Sequence, residues 1–253
     1  LPFIVVELGM DDDNLHMTLA AQQAIELPDI LFQPLVDGDP ALTAPLFHRY
    51  LTTRLLPPAR RDTPVVYNTW FYVNEWFTVD GLRKQLAAAK QIGCEIFVVD
   101  AGWYGAGSGG WSDQVGDWRE KVDGAFRGRM AGFAAEVRAA GLGFGLWMEP
   151  ERLGAVVPIV HDHPQWFLTS DAKYYYPNLD NAECYAYVLS EMSRLVETYR
   201  LAWMKVDFNF ERGVDQTGTE YYTYYRAWYR LLDQLQTKYP AVFFEGCSSG
   251  GLR

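Results

Sequence analysis

A lysine and a carboxylate lie two residues apart in one apolar stretch, Trp203-Met204-Lys205-Val206-Asp207-Phe208-Asn209. Alternate side chains of a β-strand point to the same face, so Lys205, Asp207 and Asn209 are predicted to share one face. A buried carboxylate near a buried ammonium group costs free energy unless the two pair or bind a ligand. The stretch therefore indicates either an internal ion pair or a site that binds or transforms a ligand.

Polar and aromatic residues also follow the other apolar stretches, at Asn68 and Trp70, Asp100 and Trp103, Trp147 with Glu149 and Glu151, and Glu245 with Cys247. Asp100 can accept hydrogen bonds from ligand hydroxyl groups or cap the next element. Trp147 can stack on a sugar face, or anchor a loop in which Glu149 and Glu151 bond to the backbone or to Arg152. Gly116-Asp117-Trp118 favours a structural role. From the residues alone, both alternatives stay open for Asp100 and both stay open for Trp147.

The cysteines and histidines argue against thiol or metal chemistry. A catalytic Cys247 would need a histidine partner. The four histidines lie away from the predicted strand ends, at positions 16, 48, 161 and 163. We therefore expect Cys247 to pack beside a substrate, next to the backbone of Gly250, and we expect no metal and no cofactor. The three cysteines, at positions 94, 184 and 247, are too far apart for a disulfide framework, which favours a reducing cytoplasmic setting.

The elements that must position these residues alternate in type. Apolar strands are predicted at 64–70, 95–100, 143–151, 203–209 and 242–247, and helices at 79–92, 128–140, 156–163, 181–199 and 219–239. Strict alternation predicts a parallel sheet with helical crossovers. Nearly every predicted strand carries polar residues at its carboxyl end, and such ends converge on one mouth only in a barrel. The predicted fold is a (β/α)8 TIM barrel, present as about five of the eight units.

The chain is predicted to have three parts. Residues 1–43 are expected to be the tail of an N-terminal β-sandwich domain, residues 44–62 a linker helix, and residues 63–253 the N-terminal part of the barrel. The first residue is Leu1, which suggests that the start of the protein lies upstream.

Composition restricts the partners. The net charge of −10, without a clustered basic patch, argues against nucleic acid and anionic membranes. The sequence contains no run of eighteen apolar residues, so it does not predict a membrane span. Aromatic residues make up 15% of the chain, which suits either sugar binding or an ordinary core.

Six motifs together resemble, in order and spacing, the α-galactosidases of glycoside hydrolase family 36, the melibiase group. They are Asn68-Thr69-Trp70, Val99-Asp100-Ala101-Gly102-Trp103, Gly116-Asp117-Trp118, residues 144–151, residues 205–209 and residues 245–251. The resemblance implies retaining hydrolysis of terminal α-D-galactosyl residues of oligosaccharides of the melibiose and raffinose type. It also implies a homo-oligomeric full-length protein.

The resemblance assigns roles to single residues. Asp207 corresponds to the nucleophile, and Lys205 is expected to bind galactose hydroxyl groups and to keep Asp207 ionised. Substrate binding is implied for five further residues: Asp100, Trp147, Cys247, Gly250 and Trp70. Cys247 favours a free 2-hydroxyl group over a bulkier acetamido group.

Three departures from the family pattern stand out. Ala101 occupies a position where the family often has a second Asp, and Lys173 lies where an Arg is usual. The family's acid/base Asp follows the sixth strand, beyond Arg253, so residues 1–253 alone are expected to cleave natural galactosides poorly. The alternatives are a galactosyltransferase of the raffinose-synthase type, an α-N-acetylgalactosaminidase, or a non-catalytic galactoside-binding fragment.

Overall fold

The computed structural model describes residues 9, 14–27, 29–56, 63–107, 109–169, 173–210, 212, 215 and 217–249. The chain divides into two compact units. One unit comprises Leu1–Asp62 with Val214–Tyr222, and the other comprises Thr63–Gly213 with Thr223–Arg253. The motifs singled out in the sequence all belong to the second unit.

A five-stranded parallel sheet forms the centre of the second unit. Its strands, in spatial order, are β1 (Val66–Asn68), β2 (Ile96–Val99), β3 (Gly143–Met148), β7 (Trp203–Val206) and β8 (Phe243–Gly246). All neighbouring strands of this sheet pair in parallel. The order along the sheet follows the order along the chain, as the staves of a barrel do.

Helices connect the strands of the sheet and cover one of its faces. They are α2 (Trp70–Val73), α3 (Val79–Gln91), α4 (Met130–Ala139), α5 (Pro158–Asp162), α6 (Ala182–Tyr199) and α7 (Glu220–Lys238). Thr78 caps α3 by accepting a hydrogen bond from the Gly81 amide, as its position in the sequence predicts. The helical spacing of Leu82, Leu86 and Ala89 predicts that they form the inner stripe of α3, and this is confirmed because all three are buried.

The two faces of the sheet carry different side chains. Phe97, Leu146 and Met204 point to the helices and belong to the main hydrophobic core. Val98 and Trp203 pack on the opposite face in a separate small cluster. On that face a Cβ added to residue 145 would lie 2.8 Å from Val98 and 3.0 Å from Trp203, so a glycine is required there. This inner layer corresponds to the interior of a barrel.

A small antiparallel sheet follows β3. It consists of β4 (Leu153–Gly154), β5 (Phe167–Thr169) and β6 (Tyr174–Pro177), with β6 in the middle. The sequence predicts only extended chain over residues 168–178, and the hairpin refines that prediction. Its buried tyrosines, Tyr174 and Tyr176, cluster with Phe208, which follows β7.

In the described part of residues 1–62, helical structure lies between residues 36 and 55, and residues 14–35 form turns and irregular chain. Helix α1 (Pro40–Tyr50) begins at Pro40, because Asp39 accepts a hydrogen bond from the Ala41 amide and proline fits the first turn. The predicted start at residue 44 is therefore four residues late. A π-helical turn, Leu51–Leu55, continues from α1. Pro57 and Pro58, whose residue type predicts the end of this helix, lie outside the described residues.

Several residues predicted within strands lie just beyond them. Trp70 begins α2, and residues 149–151 and 207–209 follow β3 and β7. The strands are shorter than the apolar stretches because the chain leaves the sheet where its polar residues begin. The described residues of 14–43 contain no strand. The β-sandwich origin of residues 1–43 stays a prediction.

Candidate active site

An ion pair connects the ends of two strands on the inner face of the sheet. Lys205 Nζ lies 2.9 Å from Asp100 Oδ2. The same carboxylate oxygen accepts a hydrogen bond of 2.7 Å from Asn68 Nδ2, and Asp100 Oδ1 accepts one of 2.9 Å from the Ala101 amide. The Lys205 side chain is 12% exposed and that of Asp100 is 3% exposed. The pair is thus largely withdrawn from water yet accessible at the lysine.

The position of Lys205 differs in one respect from the sequence-based expectation. The ion pair that the structure shows for Lys205 is with Asp100, across β3, rather than with Asp207 two residues along the chain. Burial alone lowers the pKa of Lys205. The Asp100 carboxylate outweighs burial, with a smaller contribution from Asp207, and the pKa of Lys205 lies above its usual value.

Asp207 lies immediately after β7 with both carboxylate oxygens bonded. Oδ2 accepts a hydrogen bond of 2.9 Å from Trp147 Nε1, and Oδ1 accepts one of 2.9 Å from the Phe208 amide. The residue is 4% exposed. Each carboxylate oxygen has about two acceptor positions, so these bonds fix the carboxylate while leaving an acceptor position on each oxygen. This is the arrangement that an oriented nucleophile requires.

Trp147 is the donor that orients Asp207. Its ring is 1% exposed and lies parallel to Tyr104 at a centroid distance of 5.7 Å, with Trp111 packed edge-on at 5.5 Å. A ring buried to this degree does not present an open face to a sugar, so the expectation of direct stacking on a sugar is not supported. The indole serves instead as a rigid hydrogen-bond donor.

The remaining predicted site residues are Cys247, Trp70 and Gly250. Cys247 is half-buried after β8, and its carbonyl oxygen accepts a hydrogen bond of 3.0 Å from the Phe208 amide. Trp70 is half-buried, with its ring edge-on to Trp111 at 5.7 Å. Gly250 lies outside the described residues. The structure thus brings Asp100, Trp147, Lys205, Asp207 and Cys247 to the carboxyl ends of neighbouring strands.

A second buried ion pair supports the segment that carries Asp207. Arg152 Nε and Nη2 lie 2.9 and 2.8 Å from the two oxygens of Glu149, and both residues are 0% exposed. Glu149 Oε1 also accepts a hydrogen bond of 2.9 Å from the Asn209 amide. The structural alternative for Glu149, bonding to Arg152, is therefore confirmed. Glu151 accepts a hydrogen bond from the hydroxyl group of Tyr224 on α7.

The departures from the family pattern have visible positions. Ala101 is buried, and its methyl side chain stands where the family often has the carboxylate of a second Asp. Lys173 is exposed, with Nζ 5.0 Å from the centroid of the Tyr174 ring. Asp117, for which the sequence favours a structural role, is buried and accepts a hydrogen bond from the Ala106 amide at 2.9 Å.

Asn68, for which the sequence predicts no role, donates a hydrogen bond from its side-chain amide to Asp100. Its position at the end of the first strand, two residues before Trp70, was the available signal. Within the described residues, no group of three or more His, Cys, Asp or Glu side chains could hold a metal ion. Among the described helices, none is long and apolar enough to cross a membrane.

Comparison with known proteins gives consistent matches. The melibiase family model matches residues 36–253. The α-galactosidase Mel36A of Lactobacillus acidophilus is 29% identical over 269 residues, covering 99% of this chain and 36% of that protein. The crystal structure of the α-galactosidase from Lactobacillus brevis has a TM-score of 0.70 at 27% identity, covering 81% of this chain and 30% of that one.

A further solved structure, of a GH36 α-galactosidase AgaA variant from Geobacillus stearothermophilus in complex with stachyose, has a TM-score of 0.74 at 23% identity. It covers 83% of this chain and 31% of that one, and at this identity shows the fold alone. The chain spans about a third of the length of these relatives. The predicted incomplete (β/α)8 barrel is confirmed by the parallel sheet and by these likenesses. Because the family model covers residues 36–253, the chain belongs to the melibiase family of glycoside hydrolase family 36.

Proposed function

We propose that the chain carries the nucleophile half of a retaining α-galactosidase site, with Asp207 as the nucleophile. The single observation that carries the proposal is the Asp207 carboxylate, held on both oxygens by the Trp147 indole and the Phe208 amide at the carboxyl end of a barrel strand. Active sites of such barrels lie at this end. The proposed substrates are oligosaccharides with a terminal α-galactosyl residue, in keeping with the names of the relatives.

The proposed reaction has two steps. A carboxylate oxygen of Asp207 forms a bond to the anomeric carbon of galactose while the glycosidic C–O bond breaks, giving a covalent galactosyl-enzyme. The leaving oxygen takes a proton from a second carboxyl group, which we place outside residues 1–253. Water then attacks the anomeric carbon and gives a proton to the second carboxyl group, while the bond from that carbon to Asp207 breaks, which releases galactose and restores the Asp207 carboxylate.

The other site residues are proposed to hold the sugar. The Lys205 ammonium group can donate to galactose hydroxyl groups, and the remaining acceptor capacity of Asp100 can receive hydrogen bonds from them. Their mutual ion pair fixes both side chains before substrate binds. We propose that Trp70, Cys247 and Gly250 line the same pocket, and that Trp147 acts through Asp207.

Three further proposals concern the whole protein. We propose that residues 1–43 end a β-sandwich domain, that residues 44–62 link it to the barrel, and that the barrel begins at residue 63. A cytoplasmic location is proposed because the three cysteines, at positions 94, 184 and 247, are odd in number and far apart in the sequence, which does not indicate a disulfide framework. A homo-oligomer is proposed from the family resemblance.

The experiment uses a polypeptide that contains residues 1–253 and has the length of the family's members, called the family-length protein from here on. Hydrolysis of an aryl α-galactoside should fall by at least about 10⁴-fold in Asp207→Gly. Added azide should restore turnover by attacking the anomeric carbon from the face that Asp207 occupied, giving a β-galactosyl azide. An Asp207→Gly protein that hydrolyses the substrate as fast as the unsubstituted one would overturn the proposal.

A further inference from the structure

The segment 207–209 is held at each of its backbone amides by a different neighbour. The Asp207 amide donates to the Met148 carbonyl at 2.8 Å, and the Phe208 amide is shared between the Cys247 carbonyl at 3.0 Å and Asp207 Oδ1 at 2.9 Å. The Asn209 amide donates to Glu149 Oε1 at 2.9 Å. Main-chain oxygens hold the first two amides, so the third is the bond that a side-chain substitution can remove.

Glu149 is a buried carboxylate whose hydrogen-bond partners offset the free-energy cost of its burial. It is 0% exposed, and burying a lone carboxylate costs several kcal/mol. Arg152 offsets that cost with two parallel N–H···O bonds of 2.9 and 2.8 Å, the geometry that holds a carboxylate most firmly. Glu149 Oε1 therefore has a fixed position when it accepts from Asn209.

Arg152 is itself fixed from several sides. Its Nη1 donates to Ser112 Oγ at 3.1 Å. The guanidinium carbon lies 4.0 Å from the centroid of the Phe210 ring and 4.5 Å from that of Tyr174. Phe210 directly follows the segment that carries Asp207, so Arg152 contacts that segment in addition to holding Glu149.

We propose that Glu149, fixed by Arg152, is a positioning residue that sets the backbone of the Asp207 segment through the Asn209 amide. This inference rests on the proposed role of Asp207 as the nucleophile. Loss of the bond removes the support of the Asn209 amide and lets this half-buried end of the segment shift. A displacement of about 1 Å at reacting atoms can lower a rate by about 100-fold. Binding of galactose, which depends on Asp100 and Lys205, is left nearly intact.

The test compares Glu149→Gln and Glu149→Leu in the family-length protein. Gln keeps an oxygen that can accept from Asn209 but loses the charge that pairs with Arg152, whereas Leu keeps neither. We expect kcat for an aryl α-galactoside to fall by about tenfold in Glu149→Gln and by about 100-fold in Glu149→Leu. The Kd for galactose should change by less than about threefold in Glu149→Gln. If Glu149→Leu does not fold, Glu149→Gln decides.

Glu191→Gln is the matched control. Glu191 on α6 pairs with Arg194, also three residues later, through bonds of 3.1 and 2.7 Å, and is 9% exposed. Its loss should lower the thermal unfolding temperature without lowering kcat. If Glu149→Gln also lowers only the unfolding temperature and leaves kcat unchanged, the inference is overturned. An unsubstituted protein without turnover would instead overturn the proposed function, and this inference with it.

Discussion

The Lys205–Asp100 pair should be strongly coupled because both side chains are largely withdrawn from water. The Nζ–Oδ2 distance is 2.9 Å, with side-chain exposures of 12% and 3%. Replacing Asp100 by Asn keeps the shape but leaves the Lys205 charge unpaired. Removing one partner of a buried pair costs about 3–5 kcal/mol of unfolding free energy. In Asp100→Asn one carboxylate oxygen becomes an NH2 donor, so the side chain can no longer accept both from Lys205 and Asn68 at one oxygen and from the Ala101 amide at the other.

A double-mutant cycle isolates this interaction. The variants are Asp100→Asn, Lys205→Met and the two together, with unfolding of the barrel by urea followed through tryptophan fluorescence. Because the double variant contains no unpaired buried charge, its destabilisation should be smaller than the sum of the two singles. We expect a coupling energy of about 2–3 kcal/mol.

The exposed pair Arg83–Glu136 provides the control. Its N–O distance is 2.8 Å, nearly that of the buried pair, but the side chains are 50% and 44% exposed. Water and salt screen such a pair, so its cycle should give a much smaller coupling energy. A coupling energy for Lys205–Asp100 no larger than that of the control would refute the reasoning from burial.

The pH dependence of the cycle follows from the pKa of Lys205. Asp100 raises this pKa above its usual value, so the folded state holds the proton more tightly than the unfolded state. The contribution to stability is therefore complete below the unfolded value of about 10.4 and is lost as the pH rises through the folded pKa. The coupling energy should stay constant between about pH 7 and pH 9 and fall only above about pH 10.5.

Three further predictions follow from single contacts. Trp147→Phe keeps the aromatic packing but removes the donor to Asp207, so kcat for an aryl α-galactoside should fall by about 10- to 100-fold, and an unchanged kcat would contradict the assigned orienting role. Gly145→Ala should destabilise the barrel by about 1–3 kcal/mol in urea, since its Cβ would lie 2.8 Å from a neighbouring side chain. Gly132→Ala, in α4 with open space around it, should stabilise by about 0.5–1 kcal/mol, and equal effects of the two substitutions would contradict the inner-layer packing. Burial raises the pKa of Cys184 to about 12, so at pH 8 an aromatic disulfide reagent should modify it far more slowly than the half-exposed cysteines; equal rates would contradict its burial.

The sequence predicts the order of strands and helices because each element carries its own periodicity and caps. Thr78 caps α3 as predicted, and Asn181, the predicted first residue of a helix, is the residue that caps α6. Element ends were less predictable. Trp70 is aromatic and apolar enough to extend a strand, yet its amide donates to Asn68 Oδ1, which turns the chain into a short helix.

The partners of the site residues were harder to predict than the residues themselves. Lys205 and Asp207 lie about 6.6 Å apart along an extended chain, so their closeness in sequence suggested a direct pair. The actual partner, Asp100, is 105 residues away in the sequence. It lies close to Lys205 in the fold because only one strand, β3, stands between their two strands in the sheet. Such a contact depends on strand order and register, which a single sequence does not encode locally.

Buried polar pairs were ambiguous for a related reason. Glu149 and Glu151 follow the same strand two residues apart, and the sequence predicted their bonding to the backbone or to Arg152 as one of two alternatives, the other being that Trp147 stacks on a sugar. The structure shows Glu149 bound to Arg152 and the Asn209 amide, and Glu151 bound to Tyr224. Only the positions of Arg152 and Tyr224 in the folded chain decide between the alternatives.

The most direct test of the account is the identity of the residue that becomes covalently bonded to galactose. The family-length protein would be incubated with 2-deoxy-2-fluoro-α-galactosyl fluoride, digested, and its peptides sequenced by mass spectrometry. Fluoride leaves the anomeric carbon as the carboxylate oxygen bonds to it, and the 2-fluorine slows the hydrolysis that follows. We expect a single fluorogalactosyl ester on Asp207, whereas a label on another carboxylate, or none in a protein that hydrolyses galactosides, would contradict the role of Asp207 as nucleophile.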